Sequence, residues 1–206
     1  ELPLAISTPS SELRHTWWVK GERGALEMAP LPVTYTVGFG LRGQGESANA
    51  GDTGAYVAEG TRSCNEEAKS ALFMHPPWMG ATGCSFARYD GIALPEAPLA
   101  RLRCLVGKQD GSYPGDGVLF ILAVVDAEGT ETEVARRLVT EHRWEPLEAD
   151  LGPWAGQTIS LKLISDVGPD DDSNGDWACW ADMGIESATP VLAVTVHDEP
   201  VELLHA

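Results

Sequence analysis

The chain has 206 residues, 43% of them hydrophobic, and carries 31 acidic against 14 basic side chains for a formal net charge of -17. That length and apolar fraction suit one domain with a substantial core. The acidity argues against a nucleic-acid partner, which needs clustered Lys and Arg, and equally against an anionic membrane surface. No apolar run reaches the roughly 18 residues that span a bilayer.

Helical periodicity is scarce, while Gly (22) and Pro (14) are frequent, so many short strands joined by turns are expected. Residues 1–16 are polar and read as an arm or linker, and Trp17-Trp18-Val19 opens the ordered domain. The N-terminal ELPLAISTPSSEL has no basic stretch followed by an apolar one, so no signal peptide is visible. Val33–Phe39 alternates cleanly, and residues 41–54 form a glycine-rich loop. Short strands are expected at Ala55–Glu59 and Ser70–His75, the second ended by Pro76-Pro77, which cannot donate to a ladder. Cys84–Leu94 and Ala100–Gly107 follow, with Leu102, Cys104 and Val106 facing inward.

Val118–Val125 is apolar throughout, which predicts a strand buried on both faces at the centre of a sheet. Periodicity leaves Thr132–Thr140 open between strand and short helix. Trp144–Asp150, the alternating run around Ile159, Leu161 and Leu163, then Asp176–Ile185 and Val191–Val196 complete the series. Residues 198–206 read as a tail, leaving one domain over 17–197. Eight to ten short strands at near-regular spacing predict an all-β jelly-roll sandwich.

The four cysteines, Cys64, Cys84, Cys104 and Cys179, are too widely spaced for a zinc knuckle or a redox CxxC pair. Two disulfides or buried free thiols both fit. Among the three connectivities, Cys64–Cys84 with Cys104–Cys179 is favoured, since Cys104 and Cys179 sit on runs that could be neighbouring strands. The loop Asp170-Asp171-Asp172-Ser173-Asn174-Gly175-Asp176 offers closely spaced oxygens of the kind calcium takes, without EF-hand spacing. Asp170, Asp172, Asn174 and Asp176 are its candidate ligands. No H-E-x-x-H, G-x-S-x-G, P-loop or dinucleotide fingerprint is present.

Aromatic rings can stack on the C–H faces of sugars while amides and carboxylates read the hydroxyls. Trp78 and Tyr113, held on loops by Pro and Gly neighbours, are the best exposed candidates. His75, Asp116 and Trp177 join them as candidate carbohydrate contacts, although Trp177 and Trp180 lie on opposite faces of one strand and one of the two must be core.

The series HPPW (75–78), GDGVLF (115–120), RWEPLEADL (143–151) and DWACWADMGIE (176–186) resembles the galactose-binding-like jelly-roll modules, and among them the carbohydrate-binding modules appended to secreted bacterial glycosidases. The likeness covers roughly residues 70–186. It implies a secreted, non-catalytic module that holds a parent or partner enzyme on a polysaccharide or oligosaccharide. It also implies structural calcium near the strand ends, with Asp182 as a further ligand. The alternatives are a glycan-active hydrolase or lyase using His75 with acids from 110–116 or 170–176, and a structural or docking domain.

Overall fold

A computed structural model describes residues 2–5, 16–23, 27–31, 34–96, 99–188 and 190–197. Its strands are β1 (Leu2–Ala5), β2 (Thr16–Arg23), β3 (Glu27–Pro30), β4 (Thr36–Leu41), β5 (Gly45–Ser47), β6 (Tyr56–Cys64), β7 (Glu67–His75), β8 (Gly83–Ala93), β9 (Leu99–Lys108), β10 (Val118–Val125), β11 (Glu131–Val139), β12 (Trp144–Asp150), β13 (Thr158–Val167), β14 (Ala178–Ala188) and β15 (Pro190–His197). One 3-10 turn, Gly152–Trp154, precedes β13.

The chain divides into two compact units, Glu1–Leu26 with Ala188–Ala206, and Glu27–Ser187. This differs from an arm over 1–16 ahead of one domain over 17–197. In the smaller unit, β1 and β15 flank β2 in an antiparallel three-stranded sheet, Leu2 opposite Val19 and Val194 opposite the same residue. Pairing of distant chain segments, invisible to local patterning, makes that sheet. The expected tail at 198–206 lies outside the described residues.

The larger unit is an all-β jelly-roll sandwich. One sheet has the order β11-β10-β13-β8-β4-β5, and the other β12-β9-β14-β7-β6 with β3 also paired to β14. From β8 to β14 the chain passes between sheets at almost every connection. The core follows from period-2 alternation. Leu102, Cys104, Val106, Leu72, Met74 and Trp180 from one sheet meet Val118, Phe120, Leu122, Leu161 and Leu163 from the other. Trp180 is fully buried, donates from Nε1 to Ser165 Oγ at 2.9 Å, and meets Phe120 edge-on at 5.2 Å.

Several expectations change in this frame. Val118–Val125 is a strand, but it lies second from the edge, with β13 and β8 central. Its outward positions stay apolar because Ala123, beside half-buried Ile121, joins Phe86 and Ile164 in a separate cluster on the outer face of that sheet. Residues 132–139 resolve as strand, since β11 covers the free edge of β10. The loop at 41–54 contains the short β5, paired back onto β4.

Neither favoured disulfide forms, and all four cysteines are free thiols. β9 and β14 are neighbours, as expected, but Cys104 faces the core between the sheets while Cys179 faces a second cluster outside it. Cys64 belongs to that second cluster, whereas Cys84 packs on the outer face of the opposite sheet. A disulfide spans only about 6 Å between Cα atoms, so pairs on opposite faces of a sheet or sandwich are out of reach.

Candidate functional site

The first candidate is a row of rings along the β6–β7 edge of the second sheet. Tyr56 stands directly opposite His75 in the β6–β7 register, and the two rings stack at 6.1 Å with an interplanar angle of 18°. His75 in turn faces Trp78 at 6.0 Å. On the other side, Tyr56 meets Phe73 at 5.2 Å, and Phe73 meets Trp177 edge-on at 6.5 Å. Trp78 is 52% exposed and Tyr56 47%, while His75 between them is only 8% exposed.

The Trp78 ring is held in place. Its backbone N–H donates to Thr53 O at 2.9 Å and its indole Nε1 to Gly54 O at 3.2 Å. Gly54 has φ +75 and no room for a Cβ, which would run into the indole. The glycine lets the ring lie against the backbone with its remaining surface open to solvent. Burial pushes the His75 pKa down, and its Nδ1 lies 2.7 Å from Pro76 O, so a neutral imidazole supports the exposed rings on either side.

The second candidate is an acid-rich node between the loops at 109–117 and 168–177. Asp176 is fully buried, and neither carboxylate oxygen has a hydrogen-bond partner; Asp116 Oδ1 is also buried and unpartnered. Burial, then the Asp116 carboxylate, push the Asp176 pKa up to about 8. Lys108, also fully buried, points its ammonium at Pro114 O rather than at either acid. Burial lowers the Lys108 pKa, opposed chiefly by Asp176 and Asp116. Asp116 Oδ2 accepts the Asp170 N–H at 2.7 Å and so pins the acidic loop.

The third is a groove of about 360 Å³ on the outer face of the first sheet, lined by Gly38, Glu46, Phe86, Arg88, Glu131 and Lys162. Lys162 Nζ sits 4.4 Å from the Phe86 ring centroid, donating to Glu46 and, at 2.8 Å, to Glu131. Burial works against its charge, but the two carboxylates outweigh this and hold its pKa above the ordinary value. Arg88 pairs with Asp90 at 2.7 Å. The groove's charges are therefore largely matched among themselves.

Of the expected carbohydrate contacts, His75 and Trp78 come together and Trp177 is reached only through Phe73. Tyr113 is 69% exposed but sits on the loop of the acid-rich node. Asp116 is committed to the Asp170 N–H, so it braces a loop rather than presenting a free carboxylate. Among the described residues, no carboxylate hydrogen-bonds or ion-pairs with His75, contrary to the arrangement a hydrolase built on that histidine would need.

The expected metal ligands are similarly divided. Asp172 Oδ1 accepts from the Asn174 backbone N at 3.0 Å and Nδ2 at 2.5 Å, a local loop lock. Asp182 does not reach the node. It lies in a left-handed kink of β14 (φ 51) and pairs with Lys69 at 3.0 Å. Among the described residues no group of three or more His, Cys, Asp or Glu converges as a metal site. The acids that do come together are Asp176 and Asp116, from different loops. Three of their four carboxylate oxygens are buried without a hydrogen-bond partner, and oxygens of this kind are what a hard cation would take. Tyr56 was missed because its partnership depends on a hairpin register whose turn, Asn65-Glu66, contains no glycine to announce it.

No family model matches the chain. An uncharacterized protein of Archaeoglobus fulgidus is 28% identical over 137 residues, covering 62% of this chain and 33% of that protein. The chain thus spans about a third of the length of that curated relative. Among solved structures, a family 22 xylan-binding domain from Paenibacillus barcinonensis matches with TM-score 0.45 and 16% identity, over 82% of this chain and 96% of that one. The family 22 carbohydrate-binding and catalytic modules of a Clostridium thermocellum xylanase, complexed with xylohexaose, match with TM-score 0.43 and 13% identity, over 65% of this chain and 25% of that one.

Proposed function

We propose that this chain is a non-catalytic carbohydrate-binding module that holds a secreted parent or partner enzyme on polysaccharide. The observation that carries the reading is the pair of solvent-facing rings, Trp78 and Tyr56, set on a rigid backing of His75, Gly54 and Phe73. Flat, preorganised rings offer the C–H faces of pyranoses a stacking surface at little cost in conformational entropy. Asp176, whose pKa burial pushes up to about 8, is fully buried and beyond a substrate's reach.

Calcium is part of the proposal. Asp116 and Asp176 would hold it through Asp116 Oδ1 and the two Asp176 oxygens, which otherwise have no hydrogen-bond partner. The ion would tie the 168–177 loop to the 109–117 loop and so stiffen one end of the sandwich. A second reading uses the groove beside Arg88 and Lys162, whose convergent polar groups suit sugar hydroxyls.

Native gel electrophoresis through a panel of embedded soluble polysaccharides, with calcium and with EDTA, tests the proposal. Retardation by at least one glycan is expected. Unchanged migration in every gel rejects carbohydrate binding. If an Arg88→Ala variant loses retardation and a Trp78→Ala variant keeps it, the groove is the site.

A further inference from the structure

Cys64 and Cys179 lie far apart in sheet register. Cys179 is opposite Phe73 on β7, and Cys64 is opposite Glu67. Six positions along a flat strand would separate them by about 20 Å. Instead they share one buried cluster with Ala71, Phe73 and Ala181, against which Leu105, Trp144 and Trp177 pack. The tip of the β6–β7 hairpin is folded over the outer face of its own sheet.

Specific contacts hold the tip there. Asp110 accepts the Asn65 and Glu66 N–H groups at 2.7 and 2.9 Å, and these two turn residues have φ 52 and 64. The Asp110 N–H donates to Ser63 O at 2.8 Å, and its neighbour Gln109 donates to Trp177 O at 2.9 Å. Trp144 Nε1 donates to Glu67 O at 2.8 Å. Gly107 leaves room for the Cys64 sulfur, which would lie 2.7 Å from any Cβ at that position. Both thiols are fully buried within that one cluster.

We propose that Cys64 and Cys179 are a disulfide-forming pair, and that their cross-link fastens the β6–β7 hairpin to the outer face of the sheet. The oxidant is a small-molecule disulfide such as oxidised glutathione. One cysteine thiolate attacks it, forming a mixed disulfide and releasing one glutathione thiolate. The second cysteine thiolate then displaces the other glutathione, closing the S–S bond, and the two protons lost by the cysteines end on two reduced glutathiones. Because the pair is buried, exchange requires the hairpin tip to lift or takes place during folding. The hairpin carries Tyr56 and His75, so the cross-link also fixes the base of the aromatic row.

The test is refolding of the full chain in a glutathione buffer, followed by thiol counting and non-reducing peptide mapping. The expected result is loss of two hydrogens in intact mass, two free thiols from the original four, and a peptide joining Cys64 to Cys179. The oxidised form should melt about 5–15 °C higher and lose that gain on reduction. A Cys84→Ser/Cys104→Ser variant should lose the same two hydrogens, yield the same cross-linked peptide and retain no free thiol. Four thiols remaining in folded protein, or a cross-link mapped to Cys84 or Cys104, overturns the pairing.

Discussion

Replacing Asp176 by Asn separates the cost of burying that carboxylate from everything else in the fold. Asp176 is held at about 8 against 3.8 for an ordinary aspartate, first by burial and then by Asp116. An acid raised in this way leaves the fold most stable below its unfolded pKa and takes stability away as pH rises towards the folded value. The loss therefore runs from about pH 4 to about pH 8 and amounts to at most about 5–6 kcal/mol in cation-free protein. For a chain of this size that is a fall in melting temperature of up to about 10–20 °C.

Lys108, Asp116, Asp172 and Asp166 are the charged groups acting on Asp176. His75 works in the opposite direction, since a buried neutral histidine loses stability for the fold as pH drops below its ordinary 6.5. The difference between wild type and Asp176→Asn cancels that contribution. Thermal and urea melts of both proteins in EDTA, from pH 4.5 to 8.5, should show the variant becoming progressively more stable than wild type as pH rises. Calcium at pH 8 should restore the wild type and leave the variant unmoved. Parallel curves for the two proteins across that range, with no calcium response, would show that the Asp176 carboxylate carries no burial cost.

Other substitutions probe separate parts of the account. Gly54→Ala should displace the Trp78 indole and weaken glycan binding about tenfold, close to 1.4 kcal/mol, with the far-ultraviolet spectrum unchanged; titration of the purified variant reads this out. Trp180→Ala should cost about 3–5 kcal/mol in urea denaturation, because it empties a fully buried site and removes the indole N–H donated to Ser165 Oγ. Tyr113→Ala, at an exposed position outside the aromatic row, should change affinity less than threefold, below about 0.7 kcal/mol. Asp110→Ala should release the hairpin tip by removing the acceptor for two turn N–H groups, seen as faster hydrogen exchange at Asn65 and Glu66.

The sandwich was legible because its strands alternate so regularly. Leu102, Cys104 and Val106 show the inward face of β9 without any tertiary information, and they are core. Trp78 could be placed on a loop from Pro76-Pro77 and Gly80 alone. What local patterning could not supply was register and curl. Tyr56 pairs with His75, and Cys64 meets Cys179, only because a glycine-free turn sets one hairpin and Asp110 folds its tip over. The acid-rich loop drew attention to Asp170, Asp172 and Asn174, yet the acid that acts most strongly on Asp176 is half-buried Asp116, fifty-seven positions upstream of Ser173 in a loop read as a sugar contact. Spacing along a chain says little about which acids from two different loops come together.

Isothermal titration of wild type and Trp78→Ala with a soluble polysaccharide that retards the wild type in native gels is the most direct test of the central claim. Saturable binding by the wild type is expected, with a loss of at least tenfold in a variant that melts within a few degrees of it. Equal affinity in the two proteins would contradict the claim that the Trp78–Tyr56 surface is where the sugar binds.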